Sequence, residues 1–245
     1  MKNYLFDSSS KEPFRLTRTK IDLFLECPRC FYLDRKLGVK RPSMPGFPLN
    51  NAVDNLLKKE FDLLRENGNA HEIMEKYGID AVPLKHPELY IWRDDVKNFI
   101  GASVVHKKTN FEVCGIIDDI WVNERGEFFI VDYKSTSTSK EISLEDQYKK
   151  SFKRQMEVYQ WIFRQKGFNV SDIGYFVFAN ATKEREKFDG KLEFDLSIIE
   201  HKGDDSWVEK TLFDIKDCLL KNEIPKPSLS CEYCNYLEKV RLAEE

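Results

Sequence analysis

The sequence predicts a mixed α/β fold, one mixed central β-sheet covered by helices. Three observations carry this. Two β-branched and aromatic runs, Phe111 to Val122 and Phe128 to Lys134, face each other across the turn-like Asn123–Glu127 and read as a hairpin. Amphipathic helical patterns lie before and after that hairpin, which is the order a sheet with helical cover requires. Two Cys-x-x-Cys hooks, Cys27/Cys30 and Cys231/Cys234, stand near opposite ends of the chain and bring those ends together if they share a metal.

The elements follow in order. Thr19-x-x-Asp22 reads as a capping box, and Ile21, Phe24 and Leu25 keep helical spacing until Pro28, so a short helix delivers the chain to the first hook. Arg41 to Pro48 holds three prolines and a glycine and reads as a loop. Val53, Leu56, Leu57, Phe61 and Leu64 define an amphipathic helix stopping near Gly68. His86 to Trp92 reads as a loop and short strand, and Asp94 to Ile100 is ambiguous. Beyond the hairpin, Ser135 to Lys140 is a Ser/Thr-rich loop. Leu144 to Lys166 is a long helix carrying Tyr148, Phe152, Met156, Tyr159 and Phe163 at three- and four-residue steps. Ile173 to Phe178 and Leu192 to Ile199 read as strands and Trp207 to Leu220 as a helix. Pro225 and Pro227 then turn the chain toward the second hook.

Composition excludes several classes. With 41% hydrophobic and 33% charged residues, the chain of 245 residues is neither a disordered polymer nor a membrane protein. A formal net charge of -3 gives no bulk attraction to a polyanion. No signal peptide or spanning segment is evident, so a reducing cytoplasm is the expected compartment, where thiols serve metals rather than disulfides. The cations that could meet phosphate are local: a basic segment from Lys11 to Arg41, and Lys149, Lys150, Lys153 and Arg154 interleaved with Tyr148 and Phe152.

The hairpin carries the chemistry. A turn centred on Arg125 sets Asp118 opposite Asp132. Period-two alternation places Lys134 on the face of Asp132 and sends Asp119 and Tyr133 to the other. Two carboxylates and an ammonium in apolar surroundings are costly unless compensated, and Mg²⁺ bound by carboxylates, water and substrate phosphate supplies that compensation. Gln155 and Tyr159 lie one helical turn apart and address a common groove.

Gly115-Ile-Ile-Asp118, Val131-Asp-Tyr-Lys134 and Gln155-Met-Glu-Val-Tyr159 together resemble the PD-(D/E)xK nuclease superfamily, and most of all its RecB-like branch, which includes CRISPR-associated exonucleases. The resemblance implies a restriction-endonuclease-like fold in a single domain over 1–245, with 16–48 and 221–240 forming a metal-cluster attachment to a 49–220 core. It implies that Asp118 and Asp132 bind Mg²⁺ or Mn²⁺ with the Tyr133 carbonyl, that Lys134 is the catalytic lysine, and that Gln155 and Tyr159 support the site or approach DNA. RecB-like nucleases usually supply a histidine from an N-terminal helix. Asp54 stands in that place here, and its hard oxygen serves Mg²⁺ equally well. The branch also implies an iron–sulfur cluster, usually with one cysteine before and three after the core. Here Cys27, Cys30, Cys231 and Cys234 stand two and two; with Cys30 in place of the missing third C-terminal ligand, the resemblance implies a 4Fe-4S cluster, and zinc, which the symmetric double hook suits, is the alternative. Cys114 and Cys218 read as core residues.

The function expected is a metal-dependent DNA nuclease, exonuclease-like on single strands or DNA ends, in repair, recombination or CRISPR-type DNA processing with protein partners of those systems. The alternative is an inactive nuclease fold that binds DNA or serves as a structural subunit.

Overall fold

The computed structural model of the protein describes residues 5–43, 45–94, 101–146 and 149–245. The chain divides into two compact units, one of residues 1–45, 103–115 and 206–245, the other of residues 46–102 and 116–205.

The second unit holds the hairpin. Its sheet runs β2 (Val82–Pro83), β5 (Asp119–Val122), β6 (Phe128–Thr136), β7 (Ile173–Ala181), β8 (Phe194–Lys202) in that spatial order. β6 and β7 are parallel and the other neighbours antiparallel. Asp119 pairs with Val131 and Val122 with Phe128, the expected constant-sum register. The Asn123 side chain builds the turn by accepting from the backbone N–H of Arg125 and of Glu127, 3.0 Å each.

Helix α3 (Pro48–Asn67) covers one face. Pro48 occupies its first turn, where no N–H is needed, and Gly68 ends it at φ 68°. Leu57, Phe61 and Arg65 form its buried stripe, and Phe61 stacks on Trp121 with ring centroids 5.5 Å apart. The short α4 (Glu72–Lys76) adds Ile73 and Met74 to this core. Helix α6 (Lys150–Gln165) brings Gln155, Met156 and Tyr159 to β6. It begins six residues later than Leu144, and Tyr148 lies outside the described residues. His86 to Trp92, expected as loop and short strand, instead leads into helix α5 (Leu89–Arg93). The His86 ring accepts the Glu88 N–H at 3.1 Å and sets the turn before it. The segment 95–100 lies outside the described residues.

The first unit carries a separate three-stranded sheet, β1 (Phe14–Thr17), β4 (Phe111–Gly115) and β3 (Ala102–His106) in spatial order β1-β4-β3. The apolar run Phe111 to Val122 is therefore two strands in two sheets, and the fold has two mixed sheets instead of one. Helices α1 (Arg18–Glu26), α2 (Pro28–Arg35), α7 (Ser206–Leu220) and α8 (Glu232–Glu244) accompany it. The expected box at Thr19 does not form, because Thr17 is the N-cap residue of α1 and makes no side-chain cap. No helix among the described residues is long and apolar enough to cross a membrane.

Candidate active site and cysteine centre

The chain leaves sheet pairing after Gly115 and enters β5 at Asp119, which puts Asp118 just before a strand end. Its carboxylate Oδ2 accepts the Tyr133 backbone N–H at 2.9 Å, tying it to β6 beside Asp132. The Tyr159 hydroxyl donates to the Ile116 carbonyl at 2.6 Å and holds the same bend from α6. Asp132 is 1% exposed. Its Oδ1 accepts from Gln155 Nε2 at 2.5 Å, and its Oδ2 is ion-paired with Lys134. The Lys134 ammonium also lies 4.8 Å from the Phe152 ring centroid.

Asp54 and Lys58 come from α3. Lys58 Nζ lies 2.9 Å from Asp54 and 3.9 Å from Asp118, bridging the two carboxylates. Asn50, Asn51, Asp54, Asp118, Tyr133 and Lys134 are among the residues lining one open cleft of about 410 Å³. The structure thus brings Asp54, Asp118, Asp132, Lys134 and Gln155 together and sets Tyr159 behind them.

Burial pushes the Asp132 carboxyl up to about 7, with the Asp118 carboxylate adding to the rise and Lys134 opposing it. Asp54 is raised as well, first by burial and then by Asp118. These carboxylates crowd one another, with the Lys58 and Lys134 ammonium groups as their cationic partners, and that donor set of hard oxygens suits a divalent cation.

On the opposite face, Tyr133 and Asp119 meet as expected: the Tyr133 hydroxyl donates to Asp119 Oδ2 at 2.8 Å. The fully buried Asp119 also receives the Arg65 guanidinium. Sequence reasoning missed Arg65 and Lys58. The signals were present, a cation on the apolar stripe of α3 and an Asp54/Lys58 pair at i,i+4.

The basic run is less available than its composition suggests. Lys149 is buried, donating to the Ser143 carbonyl at 2.6 Å and pairing with Asp146 at 3.1 Å. Lys153 pairs with Glu145 at 2.8 Å, Arg154 is half-buried and Lys150 is exposed. In the N-terminal segment, Lys20 pairs with Asp34 and Arg41 with Glu26, while Lys36 donates to the Leu219 carbonyl at 2.8 Å.

The four hook cysteines converge in the first unit. Each hook has one local design: the first cysteine is the N-cap residue of a helix and the second lies in its first turn, in α2 and in α8. Among the described residues they are the only group of three or more Cys, His, Asp or Glu side chains whose ligand atoms all lie within 4.8 Å of one another. All four are buried and none is in a disulfide. Burial opposes the Cys27 thiolate, but backbone N–H groups of Ser228 and Cys30 and the adjoining thiols outweigh it and bring Cys27 down to about 6. Burial pushes Cys30 and Cys234 up. Four soft donors held this way fit a metal. Cys114 and Cys218 are buried core residues, as expected.

Comparison with curated proteins finds no significant match. Among solved structures, the crystal structure of SSO0001 is similar to this chain at 14% identity, covering 94% of this chain and 87% of its own, with a TM-score of 0.38. The family model of the PD-(D/E)XK nuclease superfamily matches residues 15–238, a span that includes the cleft and all four hook cysteines. The chain belongs to the PD-(D/E)XK nuclease superfamily.

Proposed function

We propose that the protein is a Mg²⁺- or Mn²⁺-dependent deoxyribonuclease of the RecB-like branch, acting on single strands or DNA ends as an exonuclease. The observation that carries this is the buried Asp132, gripped by Gln155 and Lys134, directly behind Asp118 and Lys134, which line an open cleft. Asp54, Asp118, Asp132 and the Tyr133 carbonyl would hold the divalent cation, which supplies polarisation of the scissile phosphate and a water acidic enough to attack it.

The chain's own residues do the rest. Gln155 fixes the rotamer of Asp132 and leaves Oδ2 toward Lys134. Lys134 places a positive charge where the pentacovalent phosphate gains negative charge, and Phe152 supports its stem. Tyr159 and the Tyr133 N–H fix the bend that carries Asp118. Asn50 and Asn51, in the first turn of α3, line the cleft with neutral donors suited to a phosphate backbone. An end or single strand would enter the open cleft directly. The RecB-like reading would place the activity in repair, recombination or CRISPR-type processing.

Asp118→Ala and Lys134→Ala, assayed with Mg²⁺ and Mn²⁺ on end-labelled single- and double-stranded DNA, test this. Each is expected to lower cleavage by at least about 10²-fold with DNA binding retained. Wild-type protein that binds DNA and cuts under neither metal refutes it in favour of a binding module, the reading to which the Lys58–Asp54 pair would then point.

A further inference from the structure

The spacing of the hook sulfurs discriminates between a single metal ion held by four thiolates and an iron–sulfur cluster. Zinc–sulfur bonds of about 2.3 Å arranged tetrahedrally put the sulfurs about 3.8 Å apart. A four-iron cluster interposes its own core and spreads the cysteine sulfurs to roughly 6 Å. Here Sγ of Cys27 and Cys234 are 3.9 Å apart, Cys30 and Cys231 3.6 Å, and Cys30 and Cys234 3.6 Å. No pair of the four exceeds 4.8 Å.

The hooks are anchored at this spacing. The Cys27 carbonyl accepts the Phe31 N–H and the Cys231 carbonyl accepts the Asn235 N–H, 3.0 Å each, so both hooks are bound into helical turns. Helix α2 is tied to the segment leading to the second hook, because the Tyr32 hydroxyl donates to the Lys221 carbonyl at 2.9 Å. Opening the sulfurs to cluster spacing therefore means displacing α2 from α8 and the end of α7.

We propose that Cys27, Cys30, Cys231 and Cys234 hold a single tetrahedral zinc ion, in place of the iron–sulfur cluster that the RecB-like resemblance implies, with Arg41 as its positioning residue. Four thiolates around Zn²⁺ leave two negative charges. Arg41 Nη2 donates to Cys231 Sγ at 3.5 Å, its guanidinium lies 4.6 Å from the Tyr233 ring centroid, and Glu26 holds Nη1 at 2.8 Å. The arginine thus neutralises part of the centre's charge and fixes the Cys231 sulfur.

The test uses the full chain expressed in medium containing iron and zinc and purified anaerobically. The expected result is a colourless protein with one zinc per chain and no acid-labile sulfide. Co²⁺ exchanged for zinc is expected to give ligand-field and sulfur-to-cobalt bands of a tetrahedral tetrathiolate. A brown protein with iron and labile sulfide overturns the proposal, as does a chain that neither carries zinc nor takes up Co²⁺ tetrahedrally. Arg41→Gln is expected to speed zinc transfer to a chromogenic chelator by about 10-fold at unchanged helicity. An unchanged transfer rate removes Arg41 from the centre. Neither readout involves DNA, so the outcome is independent of the nuclease reading.

Discussion

Asp119→Asn tests how the reverse face of the hairpin supports the cleft. Asp119 is fully buried, and it receives Arg65, the Tyr133 hydroxyl at 2.8 Å and the Ile120 N–H at 2.8 Å. Tyr133 donates to Oδ2, while Ile120 and Arg65 share Oδ1, so the single amide oxygen of Asn keeps only one side of this set, and the neutral amide leaves a guanidinium that is 8% exposed without its counter-charge. Breaking a buried ion pair by removing one partner costs about 3–5 kcal/mol. Asp62 offers little relief, since it sits 3.4 Å from Arg65 and already accepts two bonds from Arg93, at 2.7 and 2.8 Å. The expected loss is about 3 kcal/mol, equivalent to roughly 10 °C in Tm for a chain of this size. Urea unfolding followed by tryptophan fluorescence reads it as a lower midpoint at constant slope. Tyr133 also donates its N–H to Asp118, so DNA cleavage at saturating metal is expected to fall as well. A loss below about 1 kcal/mol refutes the assignment of Arg65–Asp119 as the brace beneath the site.

Lys58→Met removes the ammonium bridging Asp54 and Asp118 and is expected to tighten Mn²⁺ binding by roughly 10-fold in calorimetry; equal or weaker binding shows that Lys58 does not compete with the cation. Asp132, held up to about 7 in the folded protein against 3.8 ordinarily, keeps a proton that the unfolded chain has lost between those values. Its contribution to metal-free stability therefore falls as pH rises through that window, and Mn²⁺ affinity rises toward pH 7 by up to about 10-fold per unit as the cation displaces that proton. Asp132→Asn is expected to flatten both profiles. Tyr159→Phe leaves the Ile116 carbonyl without its 2.6 Å donor and is expected to cost about 1–3 kcal/mol, read as a urea midpoint, together with a lower cleavage rate.

The opposition of Asp118 and Asp132 was legible because side-chain alternation and a short turn leave few registers, and β5 and β6 adopt the constant-sum one. Helix α3 was legible from its stripe and from Gly68. The break between β4 and β5 was not, because Ile116 and Ile117 carry the apolar run on past Gly115, and a single glycine is also tolerated inside a strand. The bend is instead held by remote partners, the Trp92 carbonyl accepting the Ile117 N–H at 3.2 Å and the Tyr159 hydroxyl. Strand β1 was invisible for a related reason: its four residues pair in parallel with Phe111 to Cys114, far along the chain. The turning-in of Lys149 depends on Ser143 and Asp146 in the preceding loop, which no helical pattern reveals.

The cysteine centre also bears on the order in which the molecule is made. Cys27 and Cys234 are separated by 207 positions, and every residue of the cleft-bearing unit lies between the two hooks in sequence. Closing a loop of that length lowers the entropy of the unfolded chain by about 5 kcal/mol at 25 °C if the metal acts as a covalent link would. On the ribosome, the hairpin of β5 and β6 can leave the exit tunnel and pair before Cys231 and Cys234 have been translated. Metal capture then follows hairpin pairing, and a nascent chain stalled before Cys231 would carry a formed hairpin and two unmatched thiols.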